Sequence, residues 1–257
     1  MELIAWDTTT DTFTRGAWFN GRIDERRSDL SSDGTLLVYF ASKFNGRTVA
    51  DREYTTAWTA VSKAPWLTAL ALWPKGDCWW GGGVFTGPRS LFLNHRPSEA
   101  NPHPNHRPRG LQVTPNPDAH GEDDPIYFHR LELEGWERTQ EWRWTHAWGS
   151  GFTTHTPDLR RRRQPGGSVY LGMERSLTGY KYRERFRLER AGGPVPIPGG
   201  VVNGANWLKD GRLACVGEGK VSVLSLPAGE LLQPQTMLDL TPDRPTPEPP
   251  PAWATKW

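Results

Sequence analysis

The stretch Asp29-Leu30-Ser31-Ser32-Asp33-Gly34-Thr35-Leu36-Leu37-Val38-Tyr39-Phe40-Ala41 decides the reading of the chain. Ser-Ser-Asp-Gly predicts a tight turn, in which the Asp side chain accepts from the backbone and Gly takes the positive φ. The run that follows is apolar at every position, with a β-branched residue and two aromatics near its centre. No helical stripe is visible in it, so it predicts a strand buried on both faces.

The same unit recurs near the other end. Asn206-Trp207-Leu208-Lys209-Asp210-Gly211-Arg212-Leu213-Ala214-Cys215-Val216 repeats the Asp-Gly turn and the apolar strand, and a further hairpin runs through Lys220-Val221-Ser222-Val223-Leu224. A looser copy spans Ala71–Gly81 and continues into Arg89–Asn94. Tyr127–Trp136 and Tyr182–Arg190 alternate apolar and polar residues, the period of a strand wetted on one face. Composition points the same way. The 257 residues include 27 Gly, 23 Pro and 14 Trp, turn formers and large core aromatics, so many short strands joined by turns are expected and little helix.

Strand clusters centre near residues 36, 75, 131, 184 and 213, a spacing in the period range of propeller blades. Leu30–Tyr39 and Asn206–Leu213 followed by Lys220–Val223 resemble the "SPDG-x-hydrophobic" blade motif of WD40-like and TolB-type β-propellers. The resemblance covers about a quarter of the chain and implies a fold and a habit of binding. The expectation is an all-β, β-propeller-like domain of about five blades of antiparallel strands over residues 1–240. A Pro-rich tail, 241–257, ends in Trp253 and Trp257, which need somewhere to pack. Residues 95–125 hold seven prolines and four histidines and predict a long loop.

Net charge is +2, from 31 Lys and Arg against 29 Asp and Glu, so no global attraction to nucleic acid is expected. Met1–Asp7 has no leader pattern and no apolar run reaches 18 residues, so a cytoplasmic protein without a membrane span is expected. Cys78 and Cys215 read as two reduced, unpaired thiols.

No catalytic constellation emerges. His103-Pro104-Asn105-His106 has a metal-like spacing, but a Pro-rich loop without Cys is a poor frame for zinc, and no metal or cofactor is assigned. No carboxylate pair stands out for glycoside hydrolysis. Gly149-Ser150-Gly151 is too short for a nucleophile elbow, and Gly81-Gly82-Gly83 lacks the Lys-Ser/Thr of a phosphate loop.

Two features remain as binding candidates. Trp142, Trp144 and Trp148 cluster behind Trp136, and Arg160, Arg161, Arg162 and Arg163 form a charge run read as a loop. Buried aromatics and Arg anchor interfaces, the one through area and the other through charge-assisted hydrogen bonds. The expected function is a non-enzymatic module that binds a partner protein through loops at one end of the propeller. The alternatives are a lectin-like propeller taking a glycan on Trp platforms, and a glycosidase-type hydrolase. Nucleic acid is disfavoured as a partner.

Overall fold

The computed structural model describes residues 1–119, 121–141, 143–146, 153–178, 181–226 and 233–257. The chain is all-β, with about 45% strand and 9% helix. It gathers into two compact units: residues 1–133 with 244–257, and residues 134–243.

In the first unit, β1 (Glu2–Asp7) and β2 (Thr12–Trp18) form a hairpin. A four-stranded antiparallel meander follows: β3 (Arg22–Leu30), β4 (Leu36–Ser42), β5 (Ala57–Lys63) and β6 (Ala71–Pro74). Between β4 and β5 sits the one-turn helix α1 (Gly46–Ala50), closed by the Asn45–Thr48 capping box. The strands β7 (Gly83–Gly87), β8 (Ser90–Leu93) and β9 (Gln112–Pro115) make a third sheet, and α2 (Asp124–Leu133) completes the unit before the chain leaves it.

The unbroken apolar run of β4 now has its cause. Leu36 and Val38 face a cluster with Val61, Ala71, Trp73, Phe85, Leu91 and Leu93. Tyr39 and Ala41 face a second cluster with Ile23, Ala60 and Leu72. The strand is central and covered on both sides, so neither face has room for a polar residue. The turn before it forms as expected: Ser31 Oγ donates to Asp33 Oδ1 (2.6 Å), Thr35 N–H donates to the same oxygen (3.0 Å), and Gly34 has φ +73°. The donors from Ser31 and Thr35 hold the Asp33 carboxyl down at about 2.

Three expectations are corrected here. Tyr127–Trp136 is not a strand; most of it lies in α2, which buries Ile126, Tyr127 and Leu131. Residues 95–125 are not one loop, because Gln112–Pro115 pairs parallel with β8 as β9. The clusters near residues 36 and 75 belong to one sheet, joined through β5, so the strand clusters are not five separate blades. Among the described residues the sheets have two, four, three, five, two and four strands, and none is closed.

A buried polar knot ties the first unit together. His95 is fully buried; its Nε2 lies 2.8 Å from Thr59 Oγ1 and its Nδ1 3.3 Å from the Glu99 carbonyl. Thr59 Oγ1 also accepts from Gly82 N–H (2.8 Å). The Glu99 carbonyl can only accept, so Nδ1 carries the proton of the neutral ring and Nε2 accepts from the Thr59 hydroxyl. Burial pushes this imidazole down to about 4. An unfolded His takes its proton near 6.5, the folded one only near 4, so unfolding takes up a proton between those values. Stability is full above about pH 6.5 and falls as the pH falls toward 4, by about 2 kcal/mol at pH 5. Urea unfolding at pH 7.5 and 5.0 should show this loss, and it should shrink in His95→Gln. Equal losses in the two proteins would remove His95 as its source.

The second unit is built from antiparallel meanders. A five-stranded sheet has the order β10 (Glu137–Gln140), β13 (Asp158–Arg163), β14 (Tyr170–Thr178), β15 (Lys181–Arg190) and β16 (Gly193–Pro196). The hairpin β11 (Arg143–His146) and β12 (Thr153–Thr156) stands between β10 and β13 in sequence. The chain then runs through β17 (Gly204–Trp207), β18 (Leu213–Gly217), β19 (Lys220–Leu224) and β20 (Gln235–Asp239) as a four-stranded meander. The expected hairpin at Asp210-Gly211 joins β17 to β18, and Tyr182–Arg190 is a strand as the alternation predicts. β18 is buried on one face only: Leu213 and Cys215 are buried, while Val216 is 45% exposed.

No helix among the described residues is long and apolar enough to cross a membrane. Cys78 and Cys215 are both free thiols, and burial raises each above its ordinary value, Cys215 to about 11.

Candidate functional site

The residues singled out in sequence are dispersed. Arg160–Arg163 is not a loop but strand β13, and successive side chains in a strand point to opposite faces. Arg160 is only 1% exposed and its Nε donates to Asp158 Oδ1 (2.7 Å), which Arg138 also approaches. Arg162 shares that inner face. It donates to Asn206 Oδ1, its carbonyl accepts from Trp207 Nε1 (2.9 Å), and burial lowers its guanidinium below the ordinary value. Both are engaged by partners within the second unit. Arg161 and Arg163 face outward. Arg161 lies 4.5 Å over the Tyr170 ring with its Nε 3.3 Å from Glu137, and Arg163 donates to Gly167 O (3.0 Å). Trp144 lies in β11 opposite His155. Trp142 and Trp148 fall outside the described residues.

A more concentrated site lies in the first unit. It starts from the Pro-rich loop after His95. Within this loop His103 N–H donates to Leu72 O (2.8 Å), and Leu72 N–H donates to His106 O (3.1 Å). The loop thereby covers the free edge of β6, which would otherwise present unpaired backbone groups. The two histidines are pinned from behind. Tyr54 stacks on His103 at 4.4 Å and meets His106 edge-on at 5.8 Å. His103 Nε2 is 2.9 Å from Glu53 Oε1, while its Nδ1 accepts from Asn105 N–H (3.2 Å). His106 Nδ1 donates to Ala69 O (2.8 Å). Tyr54 and Glu53 are held in turn by Asp51, whose Oδ1 accepts from both backbone N–H groups. Those donors, Tyr54 first, keep the Asp51 carboxyl below its ordinary value.

His106 Nε2 lies 3.4 Å from Tyr54 OH, so each ring nitrogen of the two histidines has a protein partner and the pair braces the loop. Among the described residues no three His, Cys, Asp or Glu side chains gather to hold a metal ion.

The opposite wall comes from the far end of the chain. Ala252–Thr255 forms a 3-10 turn with Ala254 buried. Lys63 Nζ donates to Trp253 O (3.1 Å), and Trp257 Nε1 donates to Leu70 O (3.2 Å). The Trp257 ring packs against the cluster around Val38 and Trp73, which answers where one of the two terminal tryptophans goes. Trp253 stays 53% exposed.

Between these walls is a cleft of about 810 Å³, floored by Thr68, Ala69 and Leu70. Its size lies within the usual range of ligand sites. Arg107, Arg109 and Lys256 line it, and no Asp or Glu side chain does. All three cations are exposed, and none has a carboxylate partner among the described residues. Two cations of the unit with buried side chains are matched: Lys75 with Asp77 and Glu99, Arg27 with Asp123 and Glu122. An unmatched group of three in a concavity is a ready anion site, because a charge-assisted hydrogen bond is about twice as strong as a neutral one. Sequence reading reached His103, His106 and Trp257 but not Arg107, Arg109 or Lys256.

No family model matches the chain, and no curated protein or solved structure is similar to it.

Proposed function

We propose that this chain is a non-enzymatic binding module of the cytoplasm, which recognises an anionic segment of a partner protein in the cleft of the first unit. One observation carries the reading: Arg107, Arg109 and Lys256 line a concave site that has no carboxylate side chain of its own. The braced loop supports it as well. Tyr54, Glu53 and Ala69 hold His103 and His106 in place before any ligand arrives, so little ordering cost falls on binding. The floor of Ala69 and Leu70 beside Trp257 offers apolar surface to flanking residues.

Fluorescein-labelled 12-residue peptides provide the test: anionic ones, with carboxylates or phosphates as the charge, and Lys/Arg-rich ones as controls. Fluorescence anisotropy should show binding of anionic peptides alone, weakening as salt rises. Arg107→Glu with Arg109→Glu should weaken it at least tenfold, about 1.4 kcal/mol. The melting temperature should stay within a degree or two, since both side chains are exposed. Arg161→Glu with Arg163→Glu, on the outer face of the five-stranded sheet, should leave binding intact. Loss in that second variant alone would move the site to the second unit. No binding by any anionic peptide would end the proposal.

A further inference from the structure

Resting on the reading above, we infer that the anion the cleft takes is a phosphomonoester, so that the partner segment is a phosphorylated peptide. The inference comes from counting charges and donors. Three cations line the site with no acidic side chain among them. A ligand carboxylate brings a single negative charge, and Trp257, which also lines the site, brings at most its α-carboxylate, so together they would still leave one cation uncompensated. A phosphorylated side chain brings about −1.5 to −2 at pH 7 and three strong acceptor oxygens.

The donors fit that number. Arg107 and Arg109 each present a planar fork of N–H groups, the geometry that matches phosphate in pairs. Lys256 adds a point charge from the opposite wall. Neutral donors stand beside them in the Asn105 amide and the Thr68 hydroxyl. Thr255 is already committed, its Oγ1 donating to Ala252 O (2.8 Å). A cleft of about 810 Å³ is far larger than a phosphate group, so there is room for the residue that carries it and for neighbours along the floor.

Nucleic acid fits less well. Single strands are held by a cationic groove that follows the backbone together with aromatic faces free to stack on bases. Here Arg107, Arg109 and Lys256 are gathered in one cleft. Its indole, Trp257, is packed against the core and bonded to Leu70 O.

Three 12-residue peptides of one Gly/Ala-rich sequence, differing only in a central Ser, Glu or phosphoserine, decide the matter by anisotropy on the full chain. The phosphoserine peptide should bind at least tenfold more tightly than the Glu peptide, and the Ser peptide should not bind measurably. Its affinity should rise between pH 5 and 7 as the phosphate loses its second proton near 6. Inorganic phosphate should compete at millimolar concentration. Arg107→Lys with Arg109→Lys keeps the charge but removes the forks. It should cost the phosphoserine peptide most of its advantage over Glu, with the melting temperature unchanged.

Equal affinity for the phosphoserine and Glu peptides would overturn this inference and leave the binding module standing. Absence of binding by either, from a chain that melts normally, would sink both. A 12-nucleotide single-stranded RNA that binds more tightly than the phosphoserine peptide, and that the Lys variant weakens equally, would replace the phosphopeptide with nucleic acid.

Discussion

Asp123→Ala should destabilise the first unit by about 3 kcal/mol, lowering its melting temperature by roughly 10 °C. The cause is Arg27, whose side chain is 2% exposed. Its Nε donates to Asp123 Oδ1 (2.8 Å), Nη1 to Cys78 O (2.8 Å), and Nη2 reaches Glu122 (3.3 Å), while the guanidinium lies 4.8 Å over the Phe40 ring. Removing Asp123 leaves the cation buried, with only a solvent-exposed Glu122 to answer it. Arg27→Met removes the charge itself and keeps much of the volume, so the double variant Arg27→Met, Asp123→Ala should lose clearly less than the two single losses added together. Additive losses in a thermal-melt cycle would mean that the pair is not coupled.

Gly82→Ala should cost at least about 3 kcal/mol. Gly82 has φ +80°, and a Cβ there would stand 2.6 Å from Arg27 Cβ and closer still to the Arg27 carbonyl oxygen. The left-handed conformation alone costs a non-glycine residue about 1–2 kcal/mol. The clash is with the backbone of β3, which cannot move without disturbing the buried Arg27, and Gly82 N–H is itself bonded to Thr59 Oγ1. Gly34→Ala separates the two effects, because Gly34 has φ +73° and open space around it. It should cost only the conformational share. Chemical denaturation of both variants gives the comparison, and equal losses would remove the steric part of the explanation.

The all-β class was legible because turn chemistry and strand chemistry adjoin at Ser31–Ala41 and again at Asp210–Val216. Those signals are local, and tertiary packing did not override them. The helix α2 was hidden by accident. Tyr127, His129 and Leu131 fit a period of two, yet Tyr127 and Leu131 are also four apart and share one helical face. Asp123-Asp124-Pro125 ahead of them is an acidic, proline-bearing start that favours the helix.

The arginine run misled for a related reason. Four adjacent charges look like one patch, but a strand divides them, so Arg160 and Arg162 turn inward while Arg161 and Arg163 turn outward. The cleft was illegible as a site because its floor, its loop wall and its far wall come from residues 68–70, 104–109 and 255–257. No local pattern joins segments that far apart. They are joined by tertiary contacts: His106 to Leu72 and Ala69, and Trp257 to Leu70 and the β4–β6 face.

That packing has a consequence for biosynthesis. Residues 134–243 are made after most of the first unit and before its last piece. At ordinary ribosomal speeds, about 110 residues take roughly 5–20 s to emerge. Throughout that interval the nascent first unit carries Leu70 O without its indole donor and an apolar surface beside Val61 and Trp73 without its lid. The cleft is therefore among the last features of the unit to be completed, after the sheet whose β5–β6 connection floors it has had time to fold.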